Sequence, residues 1–338
     1  MNNRIQLNRR HALSALCALA IAPAWMSSPA YAAEYPGTRP VHLMVPYPAG
    51  GPSDLSARIL SEPIARALGG QVVVENLGGA TGTIAASRVL NDTADGRYSF
   101  QGTQNELIIP PLTNRAVRYT PADFESVQPI TVTHLVLLVR ADLPVSTTEE
   151  FLKLAASRSA NESLSYGSVG VGSLYHLITE YMGKTLNIPF THVPYKGTAP
   201  VVQDLASGQI DFTIMPFQAS MLEMIKAGRY KAIAVLSKDK PPVLAHLPSI
   251  TETPKLENFE YMSNAAYFVK KGTPLEIKQK LNKAISTALQ NPDVIQKLEA
   301  DGRNVAKAMS LEEAHDFFSR EVDKYKEMIR VTGYTQTP

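Results

Sequence analysis

Cysteine and tryptophan are almost absent from this chain of 338 residues, which has one of each, Cys17 and Trp25. Both lie in an N-terminal segment that we expect to be removed. The remaining chain then has no cysteine, which excludes disulfide bonds, thiolate metal sites and cysteine nucleophiles.

The first 32 residues have the pattern of a secretory signal peptide. Arg4, Arg9 and Arg10 give a positive start, residues 12–26 are apolar, and an Ala-Tyr-Ala cleavage sequence ends at Ala32. The apolar stretch is too short to span a membrane. We therefore predict export to the periplasm with cleavage after Ala32. The adjacent arginines leave two export routes open, the general secretory route and the twin-arginine route.

Neither sign of charge dominates. The chain has 33 basic and 31 acidic residues, and loss of the signal peptide removes three arginines and no acid. A nearly neutral chain without a basic run is not typical of proteins that bind nucleic acid or anionic membranes. No later stretch has the roughly 18 consecutive apolar residues of a membrane helix, so the mature protein is predicted to be soluble. Its length is enough for two lobes.

Short apolar runs alternate with segments of helical periodicity, which predicts an α/β protein with largely parallel sheets. The predicted strands cover residues 41–46, 71–75, 98–103, 135–140, 164–167, 191–194, 210–215 and 231–236. The predicted helices cover residues 55–68, 83–90, 174–185, 199–207 and 219–227, and further helices begin at three capping boxes. These boxes are Ser146 with Glu149, Thr273 with Glu276 and Ser310 with Glu313.

Three predicted strand-to-helix connections share one design, a short loop of glycine and small polar residues. They cover residues 46–54, 167–173 and 194–200. Ligands of open α/β sheets bind at the carboxyl ends of the strands, where these loops lie. A helix start offers unpaired N–H groups and about half a positive charge, and glycine lets a ligand approach the backbone. The loops therefore predict an anion site. Their hydroxyl donors are Ser53, Ser168, Ser173 and Thr198, and their one cation is Lys196.

A single glycine-rich connection is more often only a turn than a binding site. Three such loops, each with hydroxyl groups, favour a ligand site. None matches a nucleotide motif, because G-x-x-x-x-G-K-[ST] is absent and the second loop lacks a complete G-x-G-x-x-G.

Several runs carry a family resemblance. Residues 45–54 read VPYPAGGPSD, residues 95–98 read DGRY and residues 192–197 read HVPYKG. Further runs are VVEN at 73–76, GATG at 79–82, GQID at 208–211, AGR at 227–229 and GTP at 272–274. In this order, and over essentially the whole mature chain, they resemble the substrate-binding proteins of tripartite tricarboxylate transporters, called the Bug family.

This resemblance implies a type II periplasmic binding protein fold, with two lobes around a cleft and a mainly parallel sheet flanked by helices in each lobe. It implies that residues 33–136 and 238–338 form lobe 1 and residues 137–237 form lobe 2. In relatives, the first loop and the loop at residues 168–173 hold a ligand carboxylate, and the loop at residues 195–198 closes over the same cleft.

The combined prediction is a ligand site at the three loops and the strand end that follows residue 211. Its residues are Tyr47, Pro48, Ala49, Gly50, Ser53, Asp54, Ser168, Gly170, Gly172, Ser173, His176, Tyr195, Gly197, Thr198 and Phe217. Asp54 is interpreted as a helix cap whose carboxylate steadies the first loop. Residues 264–266 and 215–217 depart from the family pattern near the expected distal end of the ligand. Dicarboxylates, amino acids and aromatic acids therefore all stay open as ligands.

A hydrolase is the enzymatic alternative, because Ser173 and His176 lie three residues apart at a predicted helix start. The nucleophile motif G-x-S-x-G is absent, so we predict a binding protein without catalysis or cofactor. The histidines have no metal-site spacing, so no metal is expected. We expect a monomer whose partner is a membrane permease. A membrane sensor kinase is the alternative partner, since either one needs only a surface that differs between the open and closed forms.

Overall fold

Strands and helices alternate along the chain, as the sequence predicts. The computed structural model describes residues 35–300 and 302–335, so the predicted signal peptide and cleavage site lie outside the described residues. The chain divides into residues 1–35 and a unit that begins at Pro36, and that unit holds every element below.

The strands are β1 (Val41–Val45), β2 (Val72–Asn76), β3 (Tyr98–Gly102), β4 (Phe124–Arg140), β5 (Ser165–Ser168), β6 (Thr191–Pro194), β7 (Phe212–Pro216), β8 (Tyr230–Val235), β9 (Met262–Lys270) and β10 (Asn304–Val305). The helices are α1 (Pro52–Leu68), α2 (Thr83–Leu90), α3 (Gln104–Leu107), α4 (Ile109–Thr113), α5 (Thr148–Ala156), α6 (Leu174–Leu186), α7 (Thr198–Ala206), α8 (Met221–Lys226), α9 (Leu275–Leu289), α10 (Pro292–Ala300) and α11 (Leu311–Thr332).

The strands form one curled sheet in the order β2-β1-β3-β9-β4-β7-β5-β6, with β8 and β10 also paired to β4. Two groups of three strands are parallel, β2-β1-β3 and β6-β5-β7. The strands between them, and β8 and β10, pair in antiparallel fashion. The predicted parallel pairing is therefore confirmed for the outer strands of each half. The central strands β9 and β4 pair in antiparallel fashion, so each half is a mixed sheet.

Strand β4 belongs to both halves. From Phe124 to His134 it pairs with β9, and from Leu135 onward it pairs with β7, with β8 joining at Val136. The chain thus passes from one half of the sheet to the other without leaving the strand.

Helix α11 packs against both halves. The ring of Phe318 lies 4.8 Å from that of Phe268 in β9. Further along the helix, Tyr325 and Met328 are fully buried in the same apolar cluster as Leu177 and Ile178 of α6. The predicted capping box is confirmed here, because Ser310 Oγ accepts from the N–H of Glu313 while the Glu313 carboxylate accepts from the N–H of Ser310.

The other two predicted capping boxes are wrong. At α5 the cap is Thr147, one residue later than predicted, and its Oγ1 accepts from the N–H of Glu150. At α9 the cap is Pro274, and the Thr273 hydroxyl donates instead to the carbonyl of Lys270. Within the described part of the chain, no helix is both long and apolar enough to cross a membrane.

Candidate functional site

A cleft lies where the loops of the two halves meet at the carboxyl ends of the strands. It has two adjoining cavities, a first cavity of about 500 Å³ and a second cavity of about 880 Å³. Tyr47 and Asn105 from one half, and Tyr175 and Thr198 from the other, line both cavities. The two spaces are therefore parts of one cleft, and each has walls from both halves.

The first loop lines the second cavity through the predicted residues Tyr47, Pro48, Ala49, Gly50 and Ser53. Asp54 lines neither cavity and is buried. Its Oδ2 accepts hydrogen bonds from the N–H of Gly50 at 2.8 Å and from Nε of Arg58 at 2.9 Å. The Arg58 guanidinium also lowers the pKa of the Asp54 carboxyl. Asp54 therefore steadies the loop, as predicted, but it does not contact the ligand space, and the cap of α1 is Gly51.

The second loop faces the first cavity through Gly170, Gly172 and Ser173. Both glycines have positive φ, 138° and 75°, which L-residues rarely adopt. Ser173 is the cap of α6, and its Oγ accepts from the N–H of His176 at 3.4 Å. The predicted combination of glycine backbone, hydroxyl group and helix start therefore meets at one wall of the cleft.

Two predicted residues, Ser168 at the start of this loop and His176 on α6, lie behind the loop. Ser168 is 1% exposed, and its Oγ is 2.7 Å from Nε2 of His192. Nδ1 of His176 accepts from the N–H of Gly172 at 3.0 Å, so this nitrogen carries no proton. The rings of His176 and His192 stack with their centroids 4.1 Å apart, and burial lowers the pKa of each to about 4. Neither Ser168 nor His176 lines a cavity, because both are used to hold the loop.

The third loop places Gly197 and Thr198 on the first cavity, beside Lys196. Tyr195 points elsewhere, because its hydroxyl donates to Oδ2 of Asp204 at 2.6 Å. It lines neither cavity. Phe217 does line the second cavity, where it is 4% exposed.

Several lining residues were missed by the sequence reading. In the first cavity they include Thr81, Asn105, Thr113, Tyr175 and Tyr334, and in the second Gln101, Glu106, Thr131, Thr133, Gln218 and Arg303. The sequence does contain one signal for this part of the cleft. Thr103 and Glu106 have capping-box spacing directly after β3, and they form that box in the structure. This marks a fourth strand-to-helix connection at the same edge of the sheet.

The side chain of Glu106 fixes Tyr47 at the junction of the two cavities. The Tyr47 hydroxyl donates to Oε1, while the N–H and the hydroxyl of Thr103 donate to Oε2 at 2.6 and 2.8 Å. Burial raises the pKa of the Glu106 carboxyl, and the hydrogen bonds oppose this effect. Burial also raises the pKa of Tyr47, so its hydroxyl stays protonated and acts as a donor.

The lining of the cleft suits a small anion. Lys196 contributes a cation to the first cavity and Arg303 one to the second, where Arg303 Nη1 also donates to Ser56 Oγ at 3.0 Å. Glu106 is the one acid among the described lining residues. Among residues 35–300 and 302–335, no three His, Cys, Asp or Glu side chains are placed to hold a metal ion.

Comparison with known proteins gives consistent matches over most of the chain. Residues 56–334 match the family described as "Tripartite tricarboxylate transporter family receptor". A protein of Pseudomonas sp. (strain P51), the UPF0065 protein in the tcbD-tcbE intergenic region, is 31% identical over 314 residues, which is 93% of this chain and 92% of the relative.

Two solved structures of similar chains contain acids. R. palustris Rpa4515 with adipate is 30% identical, with a TM-score of 0.74 over 90% of this chain and 100% of that one. MatC (Rpa3494) from Rhodopseudomonas palustris with bound malate is 28% identical, with a TM-score of 0.70 over 86% of this chain and 99% of that one.

Proposed function

Because the chain belongs to the family of tripartite tricarboxylate transporter receptors, we propose that it captures a small organic carboxylate in the cleft, in the periplasm, and delivers it to a membrane permease. The family consists of receptors and not enzymes, so the hydrolase alternative is dropped. The observation that carries the proposal is the wall of the first cavity formed by Gly170, Gly172 and Ser173 at the start of α6.

The starts of α1, α6 and α7, which follow the three predicted loops, all meet the cleft. Each contributes about 0.3–2 kcal/mol to the binding of an anion at its N–H groups. Added to hydrogen bonds from the hydroxyl groups of Ser173 and Thr198, they support micromolar affinity, about −8 kcal/mol. Neutral donors also release a ligand more readily than a cluster of cations, which suits a receptor that must pass its ligand on.

Dicarboxylates are the proposed class of ligand. Adipate and malate, found with the two similar structures, are both dicarboxylates. In this chain Lys196 lines the first cavity and Arg303 lines the second, and Tyr47 lies at the junction of the two cavities. We assign one carboxylate to the first cavity, and the second cavity takes the distal part of the molecule.

Closure is the proposed mechanism of capture. The ligand first meets the loop at residues 47–54, and the loops at residues 168–173 and 195–198 then move onto it and exclude water. In this scheme lobe 2 is residues 137–237, and it turns against residues 33–136 and 238–338. Desolvation strengthens each hydrogen bond to the carboxylate.

A thermal-shift panel of dicarboxylates, amino acids and aromatic acids tests the function, because a true ligand raises the midpoint in a concentration-dependent way. Ser173→Glu, which sets a carboxylate at the cavity wall, is expected to abolish binding in calorimetry. Thr147→Glu is the matched control, since Thr147 caps α5 at an exposed position away from the cleft. Normal binding by Ser173→Glu would refute the site.

Delivery to a permease needs a separate measurement. Uptake of the labelled acid into cells that contain the permease should depend on this protein. If the ligand binds but uptake is independent of the protein, the sensor kinase replaces the permease as the partner.

A further inference from the structure

The segment that follows helix α11 turns toward the cleft. Helix α11 ends at Thr332 and is capped by Gly333, whose φ of 67° is the left-handed conformation typical of a helix C-cap. The next residue, Tyr334, then lines the first cavity. It is separated in sequence from every loop that the glycine pattern identified.

Tyr334 lies directly against the second loop. A β-carbon built on Gly172 would be 2.8 Å from the Tyr334 hydroxyl oxygen, so the hydroxyl group occupies the space next to this glycine. The rings of Tyr334 and His176 are steeply tilted to each other, at 75°, with the centroids 6.0 Å apart. The tyrosine therefore packs on the residue that holds the loop and presents its hydroxyl group where the loop faces the cavity.

Three tyrosines line the first cavity, and their hydroxyl groups differ in what surrounds them. Tyr47 donates to Glu106. The Asn105 side chain faces the hydroxyl of Tyr175. Among the described residues, none accepts a hydrogen bond from the Tyr334 hydroxyl, whose neighbour is a glycine without a side chain.

We propose that Tyr334 is a ligand-binding residue, and that its hydroxyl group donates a hydrogen bond to the carboxylate held by the Gly170–Ser173 loop. This inference rests on the proposed function and adds a residue to the same site. The glycine at position 172 is required for it, since any side chain there would displace the phenol. The residue that follows the cap of α11 is thereby part of the binding site.

Calorimetry with malate and with adipate tests the assignment on the mature protein. Tyr334→Phe keeps the ring and removes the donor, and we expect it to weaken binding of the acid by about tenfold, typical for loss of a hydrogen bond to a charged group. Tyr334→Ala should weaken binding at least as much. Thr335→Ala, at the exposed neighbouring residue, should bind like the unmodified protein.

Each outcome has a definite meaning. Weaker binding by Tyr334→Phe, with an unchanged melting temperature and a normal Thr335→Ala control, supports the assignment. Normal binding by Tyr334→Phe overturns it, even if Tyr334→Ala is impaired, because the ring alone would then account for the effect. If the unmodified protein binds neither these acids nor any other carboxylate of the panel, the proposed function fails and this inference fails with it.

Discussion

The N–H of Gly50 donates to the buried carboxylate of Asp54 at 2.8 Å, which ties the first loop of the cleft to the first turn of α1. The same carboxylate oxygen accepts from Arg58 one turn later. Hydrogen bonds within the protein thus help to set the shape of this loop.

Asp54→Ala is expected to lower the free energy of unfolding by about 1–3 kcal/mol, because it removes two hydrogen bonds to a charged group. It should also weaken ligand binding, since Gly50 lines the second cavity. Urea denaturation and calorimetry measure the two effects. Asp92→Ala removes a similar ion pair, with Arg88 at the end of α2, and serves as the control. We expect it to leave ligand binding unchanged. Equal binding losses in both variants would contradict the role of Asp54.

Stability should fall as the pH drops from about 6.5 to about 4. Burial lowers the pKa of His176 and His192 to about 4 in the folded protein, so over this window the unfolded chain binds more protons. The stability that these two histidines contribute is fully present above their pKa in the unfolded chain. It is lost as the pH falls toward their pKa in the folded protein. Ligand binding should weaken only as the pH approaches about 4, where His176 of the folded protein gains a proton and can no longer accept the N–H of Gly172.

Urea denaturation at a series of pH values measures this dependence. Replacement of both histidines by glutamine should reduce the slope of the free energy of unfolding against pH between pH 6.5 and 4. The control is His315→Gln, at an exposed position of α11, which should keep the slope of the unmodified protein. A slope that survives the double replacement would assign the dependence to other groups.

Thr81→Gly should stabilise the protein by roughly 0.5–1 kcal/mol. Residues 79–82 all have positive φ, and the φ of Thr81 is 53°. A left-handed conformation costs a non-glycine residue about 1–2 kcal/mol, and the greater freedom of glycine in the unfolded chain cancels part of the gain. Thermal melting checks this. Thr83→Gly, two residues later at an ordinary helical φ of −67°, should destabilise instead, and a gain in both variants would argue against relief of strain.

Lys196→Gln should weaken binding of an acid by about two- to fivefold, the range of an exposed charge interaction. The remaining affinity should also depend less on salt, because an exposed charge is screened as ionic strength rises. Calorimetry at low and high salt measures both effects. Lys184→Gln, exposed on the last turn of α6, is the matched control. An unchanged salt dependence in Lys196→Gln would exclude this lysine from the site.

The sequence predicted the outer strands and the loops because their signals are local. Strand β6 and helix α2 were predicted at the bounds found in the structure. The first part of β4 and all of β9 were missed. In β4 the buried residues Gln128 and Thr131 interrupt the apolar pattern. The side-chain oxygen of Gln128 accepts from Nδ2 of Asn282, which is 154 residues away in sequence and cannot be recognised as its partner from sequence alone.

The same limit applies to the site. Glycine and serine patterns located the three loops, but the direction of each side chain depends on distant partners. Tyr195 turns toward Asp204, and Ser168 is held by His192. Tyr334 carries no local signal, since only the packing of α11 brings it to the cleft.

Because β4 belongs to both halves, it limits which insertions and deletions the protein can accept during evolution. Side chains alternate between the two faces of a strand, so inserting or deleting one residue near His134 would invert every later side chain of β4 relative to its neighbours. Leu135, Leu137 and Val139, which lie in the core of the second half, would then exchange places with the residues of the opposite face. A change of one residue in the length of this strand would therefore disturb the packing of the whole second half.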